Sequence, residues 1–89
     1  MISRTTRRFR LALAQLPGQV RRQASEAYKL FSQDSNHASL RFKKVHATEP
    51  VYSARISIGY RAVGVLDGDE IVWFWIGSHT DYEKVLERL

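Results

Sequence analysis

Apolar residues recur at helical spacing through the first third of the chain. The first stripe, at i, i+3, i+4 and i+7, consists of Phe9, Ala12, Leu13 and Leu16. Thr5 or Thr6 is placed to cap this helix, and Pro17-Gly18 ends it because proline cannot continue a helix. A second stripe follows at once and ends in the turn-forming run 32–36; it consists of Val20, Ala24, Ala27, Tyr28 and Phe31. Two helices with so short a link predict an antiparallel helical hairpin.

The hydrophobic period then changes to two, which is typical of strands. Over Val51–Ile58, apolar residues alternate with Ser53, Arg55 and Ser57, so this segment predicts a half-buried strand. Gly59 permits a turn into a second strand over Tyr60–Leu66, and Asp67-Gly68-Asp69-Glu70 is a hairpin signal. Ile71–Ile76 is apolar on both faces, as a central strand is. Leu40–Val45 gives a weaker strand prediction.

The C-terminus predicts a short helix. Thr80 and Glu83 have the spacing of a capping box, with Thr80 as the N-cap, and the apolar side follows with Val85, Leu86 and Leu89. The whole order predicts an α+β fold in which an N-terminal helical hairpin packs on an antiparallel sheet of about three to four strands. We expect residues 1–89 to form a single domain.

Charge is distributed unevenly along the chain. Residues 1–61 hold twelve Lys and Arg against three acids, whereas residues 62–89 hold two against six, for a net charge of +5 overall. This asymmetry favours a basic surface for a polyanion, although a merely solvated basic face is the alternative. There is no cysteine, the histidines show no metal-ligand spacing, and no apolar stretch approaches a membrane span or a signal peptide. We expect a cytoplasmic protein without a metal or a small-molecule cofactor.

Four segments in order resemble the RelE/ParE toxin superfamily. They are the basic run 40–45, the Arg-containing strand Tyr52-Ser53-Ala54-Arg55, the "YR" strand Gly59-Tyr60-Arg61-Ala62, and the segment 73–82 with its Gly77-Ser78-His79-Thr80-Asp81-Tyr82 ending. The similarity spans about residues 9–89, and the ordered combination is more specific than any one motif. Members of that family typically open with a β-strand before the helical hairpin, whereas we expect this chain to enter its first helix almost directly, which would expose a sheet edge.

The resemblance implies the toxin of a type II toxin–antitoxin pair, with a cognate antitoxin as partner. RelE-like members cleave messenger RNA on the ribosome without a metal, so the first hypothesis is an mRNA endoribonuclease. ParE-like members instead inhibit DNA gyrase and lack the nuclease residues, which gives the alternative hypothesis. A third is a decayed relative that only binds RNA or an antitoxin.

RNA is cut without a metal when its own 2′-hydroxyl attacks the adjacent phosphate. This reaction needs cations to stabilise charge on the phosphate and groups that move protons to and from the two oxygens. The positions that match the family supply Arg55 and Arg61 as phosphate ligands and His79 for proton transfer, assisted by Tyr82. The candidate RNA-binding residues are Arg41, Lys43 and Lys44.

Each candidate also has a structural interpretation. Arg55 and Arg61 would then be surface cations of a strand, His79 would brace a turn, and Tyr82 would be a core aromatic. Lys43 and Lys44 would form a solvated basic strand. His37 and His46 are predicted to be loop residues, and Trp73 and Trp75 are predicted mainly as core, although one of them could stack on a base.

Overall fold

Five strands form one mixed sheet in the computed structural model, which describes residues 1–89. Along the chain the elements are β1 (Ile2–Thr5), α1 (Arg7–Ala14), α2 (Gly18–Gln33), a 3₁₀ turn (Ala38–Leu40), β2 (Lys43–Lys44), β3 (Val51–Ser57), β4 (Tyr60–Asp67), β5 (Glu70–Ser78) and α3 (His79–Glu87). The strand order in the sheet is β1-β5-β4-β3-β2. The predicted α+β fold is confirmed, with five strands in place of three to four.

The two N-terminal helices begin and end where the sequence predicts. Thr6 is the N-cap of α1, and its Oγ1 accepts a hydrogen bond from the Phe9 amide at 3.1 Å. Pro17 separates the helices and serves as the N-cap of α2, which ends at Gln33. Both helices turn their apolar stripes towards the sheet, α1 mainly onto β5 and α2 onto β3.

The alternation of side chains along β3 and β4 divides the core between the two faces of the sheet. The face covered by α1 and α2, called here the hairpin face, carries the larger cluster, which consists of Phe9, Ala24, Phe31, Leu40, Ala54, Ala62, Ile71, Trp73 and Ile76. The opposite face, called the α3 face, carries a smaller one formed by Val51, Val63 and Tyr82. Polar residues of β3 and β4 therefore collect on the α3 face, beside the small cluster.

One expectation was wrong, because the chain does open with a strand. β1 pairs in parallel with β5, from Ile2 opposite Glu70 to Thr5 opposite Trp73. The four residues alternate between exposed and half-buried positions, and Arg4 forms an ion pair with Glu70 across the strands. So short and polar an edge strand has too few apolar positions for periodicity to reveal it.

The free edge of β1 is blocked by side chains from the helices. The Ile2 amide donates to the carbonyl of Asp69, just before β5, and the Thr6 amide donates to the carbonyl of Trp73 on β5. The backbone carbonyls of Ser3 and Thr5 therefore face the outer side of the edge. Tyr28 Oη donates to the Ser3 carbonyl at 2.9 Å, and Arg10 Nη1 donates to the Thr5 carbonyl at 2.7 Å. Occupied carbonyls make this edge a poor template for another strand.

The cap of α3 also differs from the prediction. Ser78, not Thr80, is the N-cap, and its Oγ accepts a hydrogen bond from the Asp81 amide at 3.2 Å. β5 runs as far as Ser78, and the His79 amide still bonds the Gly59 carbonyl at 2.8 Å, so the chain enters the helix directly from the sheet. Glu83 consequently lies one turn beyond His79 instead of closing a capping box. None of the helices has the length and apolar character that crossing a bilayer requires.

Candidate active site

Arg55 and Arg61 lie directly opposite each other on neighbouring strands. They are register partners of β3 and β4, just before the irregularity that leads into the Gly59 turn. Register partners in an antiparallel pair share a face, with Cβ atoms about 5 Å apart. Both arginines fall on the α3 face, because Ala54 and Ala62, their neighbours along the strands, belong to the hairpin-face core. The hairpin at Gly59 therefore brings the two arginines together.

Backbone carbonyls of the β3–β4 turn hold the Arg61 guanidinium. Its Nη1 donates to the Ser57 carbonyl at 2.6 Å and to the Tyr60 carbonyl at 2.9 Å. Burial lowers the pKa of Arg61 from its ordinary value, and the charge of Arg55 lowers it further. Tyr82 raises this pKa in part, and Arg41 lowers it by the smallest amount. An arginine that neighbours two other cations is suited to an anionic ligand, since a phosphate relieves their mutual repulsion.

Arg41 and Lys43 extend this group of cations. Arg41 is the only non-glycine residue with a positive φ, 45°. Lys43 is the register partner of Ser53 and therefore shares the α3 face, whereas Lys44 is the partner of Tyr52 and is assigned to the hairpin face. We call Arg41, Lys43, Arg55 and Arg61 the cationic cluster.

No carboxylate forms an ion pair with a residue of the cationic cluster. The two ion pairs of the protein, Arg4 with Glu70 and His79 with Glu83, both lie outside it. Surface cations are commonly paired with acids, and a cluster of cations without such pairs produces a positive local potential. No group of three or more histidines, aspartates and glutamates is arranged to hold a metal ion.

His79 is the first residue of α3 and reaches solvent with nearly half of its side chain. The Nδ1 atom lies 3.4 Å from Glu83 Oε1, and 45% of the side chain is exposed. The imidazole ring is 5.7 Å from the ring of Tyr82. A carboxylate beside Nδ1 favours the tautomer with its proton there, which leaves Nε2 as an acceptor for a substrate proton.

Tyr82 is a buried residue beneath this surface. It is 6% exposed, and its hydroxyl donates to Ser53 Oγ at 3.0 Å. Ser53 is itself 2% exposed and is the one buried polar side chain of the protein. The pair fastens α3 to β3, so Tyr82 fixes the position of His79 relative to Arg55.

Sequence reasoning missed two small residues of the site. Ser53 appeared only as the polar partner in an alternating strand, yet it anchors Tyr82. Gly77 lies opposite Arg61 in the β4–β5 register, and a Cβ there would come within 2.7 Å of the Trp75 ring. The sequence showed Gly77 only as a glycine within the C-terminal motif. Nothing in the sequence indicated that the Trp75 ring leaves no room for a side chain at this position.

The remaining aromatic and histidine candidates have structural roles. Trp73 is 5% exposed in the larger core, and its indole Nε1 donates to Ser3 Oγ at 2.8 Å. Trp75 is half-buried against the smaller core. His37 accepts a hydrogen bond from the Ser39 amide and His46 accepts one from the Glu49 amide, so both stabilise loops as predicted.

Comparison with known proteins agrees with this architecture. A family model described as the ParE-like toxin domain matches residues 18–84. A chain of the RelB–RelE antitoxin–toxin complex from Methanococcus jannaschii superposes with a TM-score of 0.74 at 17% identity, covering 92% of this chain and 96% of that one. The isolated Escherichia coli RelE toxin gives 0.66 at 17% identity over 99% and 98% of the two chains. E. coli YafQ gives 0.66 at 9% identity over 90% and 94%. No curated protein matches the chain by sequence.

Proposed function

Because the chain belongs to the ParE-like toxin domain family, we propose that it is the toxin of a type II toxin–antitoxin pair and a metal-independent endoribonuclease that cuts messenger RNA on the ribosome. One observation carries the nuclease assignment. The cationic cluster forms no ion pair with a carboxylate, and Arg55 and Arg61 lie on the face of the sheet from which α3 begins with His79. A domain that only bound a protein target would have no need for a proton carrier beside cations.

Arg55 and Arg61 bind the scissile phosphate. Each guanidinium offers paired N–H donors to two oxygens, and the charge that develops on the phosphate during attack strengthens these contacts. The carbonyls of Ser57 and Tyr60 preorganise Arg61. Arg41 and Lys43 bind the neighbouring backbone phosphates, and Lys44 contacts RNA from the other side of the edge strand.

His79 moves the proton. Its Nε2 accepts the proton of the 2′-hydroxyl, the 2′-oxygen attacks phosphorus, and the bond from phosphorus to the 5′-oxygen breaks. The products are a 2′,3′-cyclic phosphate and a 5′-hydroxyl, whose proton comes from the imidazolium or from water. Glu83 beside Nδ1 favours the tautomer whose Nε2 is free to accept the proton. Tyr82 assists by positioning, because its hydroxyl is already engaged by Ser53.

The partner in the resting state is a cognate antitoxin. Similar folds occur in RelB–RelE antitoxin–toxin complexes from Methanococcus jannaschii, Pyrococcus horikoshii OT3 and E. coli. An antitoxin that covers the cationic cluster with its own carboxylates would neutralise the charge and exclude RNA at the same time. Residues 1–89 form a single toxin domain, which acts in the cytoplasm and needs no small-molecule cofactor.

Induced expression with mapping of mRNA 5′ ends tests this function. The wild type is compared with Arg55→Gln and His79→Gln, and Lys29→Gln on the exposed surface of α2 is the matched control for loss of a charge. We expect growth arrest with new cuts in translated messages from the wild type and the control, and neither from the two site variants.

Two results would contradict the proposal. Arrest without new mRNA ends, unchanged in both site variants, would favour the gyrase-inhibiting alternative. Absence of arrest from a folded wild-type protein would favour a decayed relative that only binds RNA or an antitoxin. Circular dichroism of each purified variant separates loss of activity from loss of fold.

A further inference from the structure

An apolar cavity of about 350 Å³ lies on the hairpin face, away from the cationic cluster. It forms because α1 packs on β5 and α2 packs on β3, so the two helices hardly contact each other directly above β4. Ala54 and Ala62 supply a floor of small side chains, and Phe9, Leu13 and Phe31 line the walls. Eleven of the fifteen lining residues are hydrophobic, and the volume is in the range of small-molecule sites.

Two arginines stand at the rim of this apolar space. Arg10 and Arg21 belong to its lining, one on each helix. A single guanidinium nitrogen of each is tied to backbone, Arg10 Nη1 to the Thr5 carbonyl and Arg21 Nη1 to the Leu16 carbonyl, both at 2.7 Å. Neither residue forms an ion pair, so their other donors remain available at the mouth. The surrounding hairpin has six basic residues and one acid over residues 7–33, which adds to the positive potential.

We propose that this cavity binds a small amphipathic anion, with an apolar body between α1 and α2 and a carboxylate or phosphate head on Arg10 and Arg21. The apolar body removes the exposed parts of Leu13 and Tyr28 from water, which is the main favourable contribution. The head accepts charge-assisted hydrogen bonds from guanidiniums whose orientation is already fixed, so little order is lost on binding. A purely apolar ligand would leave the arginines without a partner, and a purely polar anion would leave the cavity unfilled.

Binding is tested with octanoate as the probe, using titration calorimetry and ¹H–¹⁵N spectra of the whole protein. 1-Octanol supplies the tail without the charge, and acetate supplies the head without the tail. We expect octanoate to bind, 1-octanol to bind more weakly and acetate not to bind. Chemical-shift changes should centre on Phe9, Leu13, Ala24, Ala54 and the Trp73 indole, and leave Arg55 and His79 unperturbed.

Three variants locate the contacts. Arg21→Gln should weaken octanoate binding by at least about fivefold and leave 1-octanol unchanged, whereas Arg22→Gln, an exposed arginine outside the cavity lining, should change neither. Ala27→Leu should reduce the binding of both probes by filling the space. Equal affinity for octanoate and acetate, equal effects of the two arginine variants, or shifts spread over the α3 face would overturn the proposal. None of these variants touches the cationic cluster, so failure here is separate from failure of the nuclease assignment.

Discussion

The hydrogen bond between Tyr82 and Ser53 makes a sharp prediction because both partners are buried. Tyr82→Phe removes one hydroxyl and leaves Ser53 Oγ, on a residue only 2% exposed, without its partner. A lost hydrogen bond together with an orphaned buried group costs about 1–3 kcal/mol in the free energy of unfolding. Ser53→Ala should cost a similar amount, because it leaves the Tyr82 hydroxyl unsatisfied.

The double variant distinguishes a positioning role from a chemical one. Replacing both partners by apolar groups of similar shape is often nearly neutral, so Tyr82→Phe with Ser53→Ala should recover about 1 kcal/mol or more of the summed single costs. Urea unfolding of the four proteins at 25 °C measures this coupling. RNA cleavage by the double variant should stay within about threefold of wild type, since a lost proton-transfer group would cost about 100-fold or more. Additive stability losses, or a 100-fold loss of cleavage in both proteins with Tyr82→Phe, would refute the reasoning.

Three further predictions concern the cationic cluster. Single-stranded RNA binding should fall with salt at a log–log slope of about −3.5, or roughly 130-fold between 50 and 200 mM, because the four cations of the cluster and Lys44 each contribute about −0.7. A slope near zero in filter binding would exclude the cluster as the RNA site. Arg55→Gln should raise stability by roughly 0.2–0.5 kcal/mol at low salt while abolishing cleavage, since Arg55 lowers the pKa of Arg61. A lowered arginine pKa means that the folded state destabilises the charged form of Arg61 at neutral pH. This destabilisation disappears only as the pH rises through the pKa of Arg61, so the stability gained by Arg55→Gln should be constant from pH 5 to 9. Because the repulsion is electrostatic, the gain should shrink with added salt. Arg41→Gly should remove the backbone strain of a non-glycine residue at a φ of 45°, so the fold should be equally stable or more stable by about 0.5–1 kcal/mol. The same variant should weaken RNA binding several-fold because a cation is lost. Destabilisation in thermal unfolding would contradict the strain interpretation.

Periodicity predicted the elements that bury a continuous apolar face. The stripe from Phe9 to Leu16 and the alternation through Val51–Ser57 each have one side towards a core, and both elements lie where expected. β1 was missed because a four-residue edge strand is stabilised by backbone pairing with β5 and by side chains of the helices, neither of which leaves a local pattern. The parallel pairing of β1 with β5 depends on a connection that runs through both helices and β2 to β4, which a local window does not contain.

The candidate site shows the same division between local and tertiary information. The opposition of Arg55 and Arg61 follows from counting residues across the Gly59 turn, so it was predictable. The separation of Lys43 from Lys44 depends on the register of a two-residue strand, and the N-cap at Ser78 depends on how far β5 continues. The sequence also left the role of Tyr82 open, because only the distance to Ser53 shows that its hydroxyl is engaged.

The most direct test of the central claim is the chemistry of the cut itself. A messenger with a single 2′-deoxynucleotide at the mapped cleavage position is translated in a purified system with the protein, beside the all-ribose message, and the product ends are analysed. Attack by the 2′-oxygen, with phosphate bound by Arg55 and Arg61, predicts a 2′,3′-cyclic phosphate and a 5′-hydroxyl from the ribose message and no cut in the deoxy message. Cleavage of both messages with 5′-phosphate ends would contradict the account.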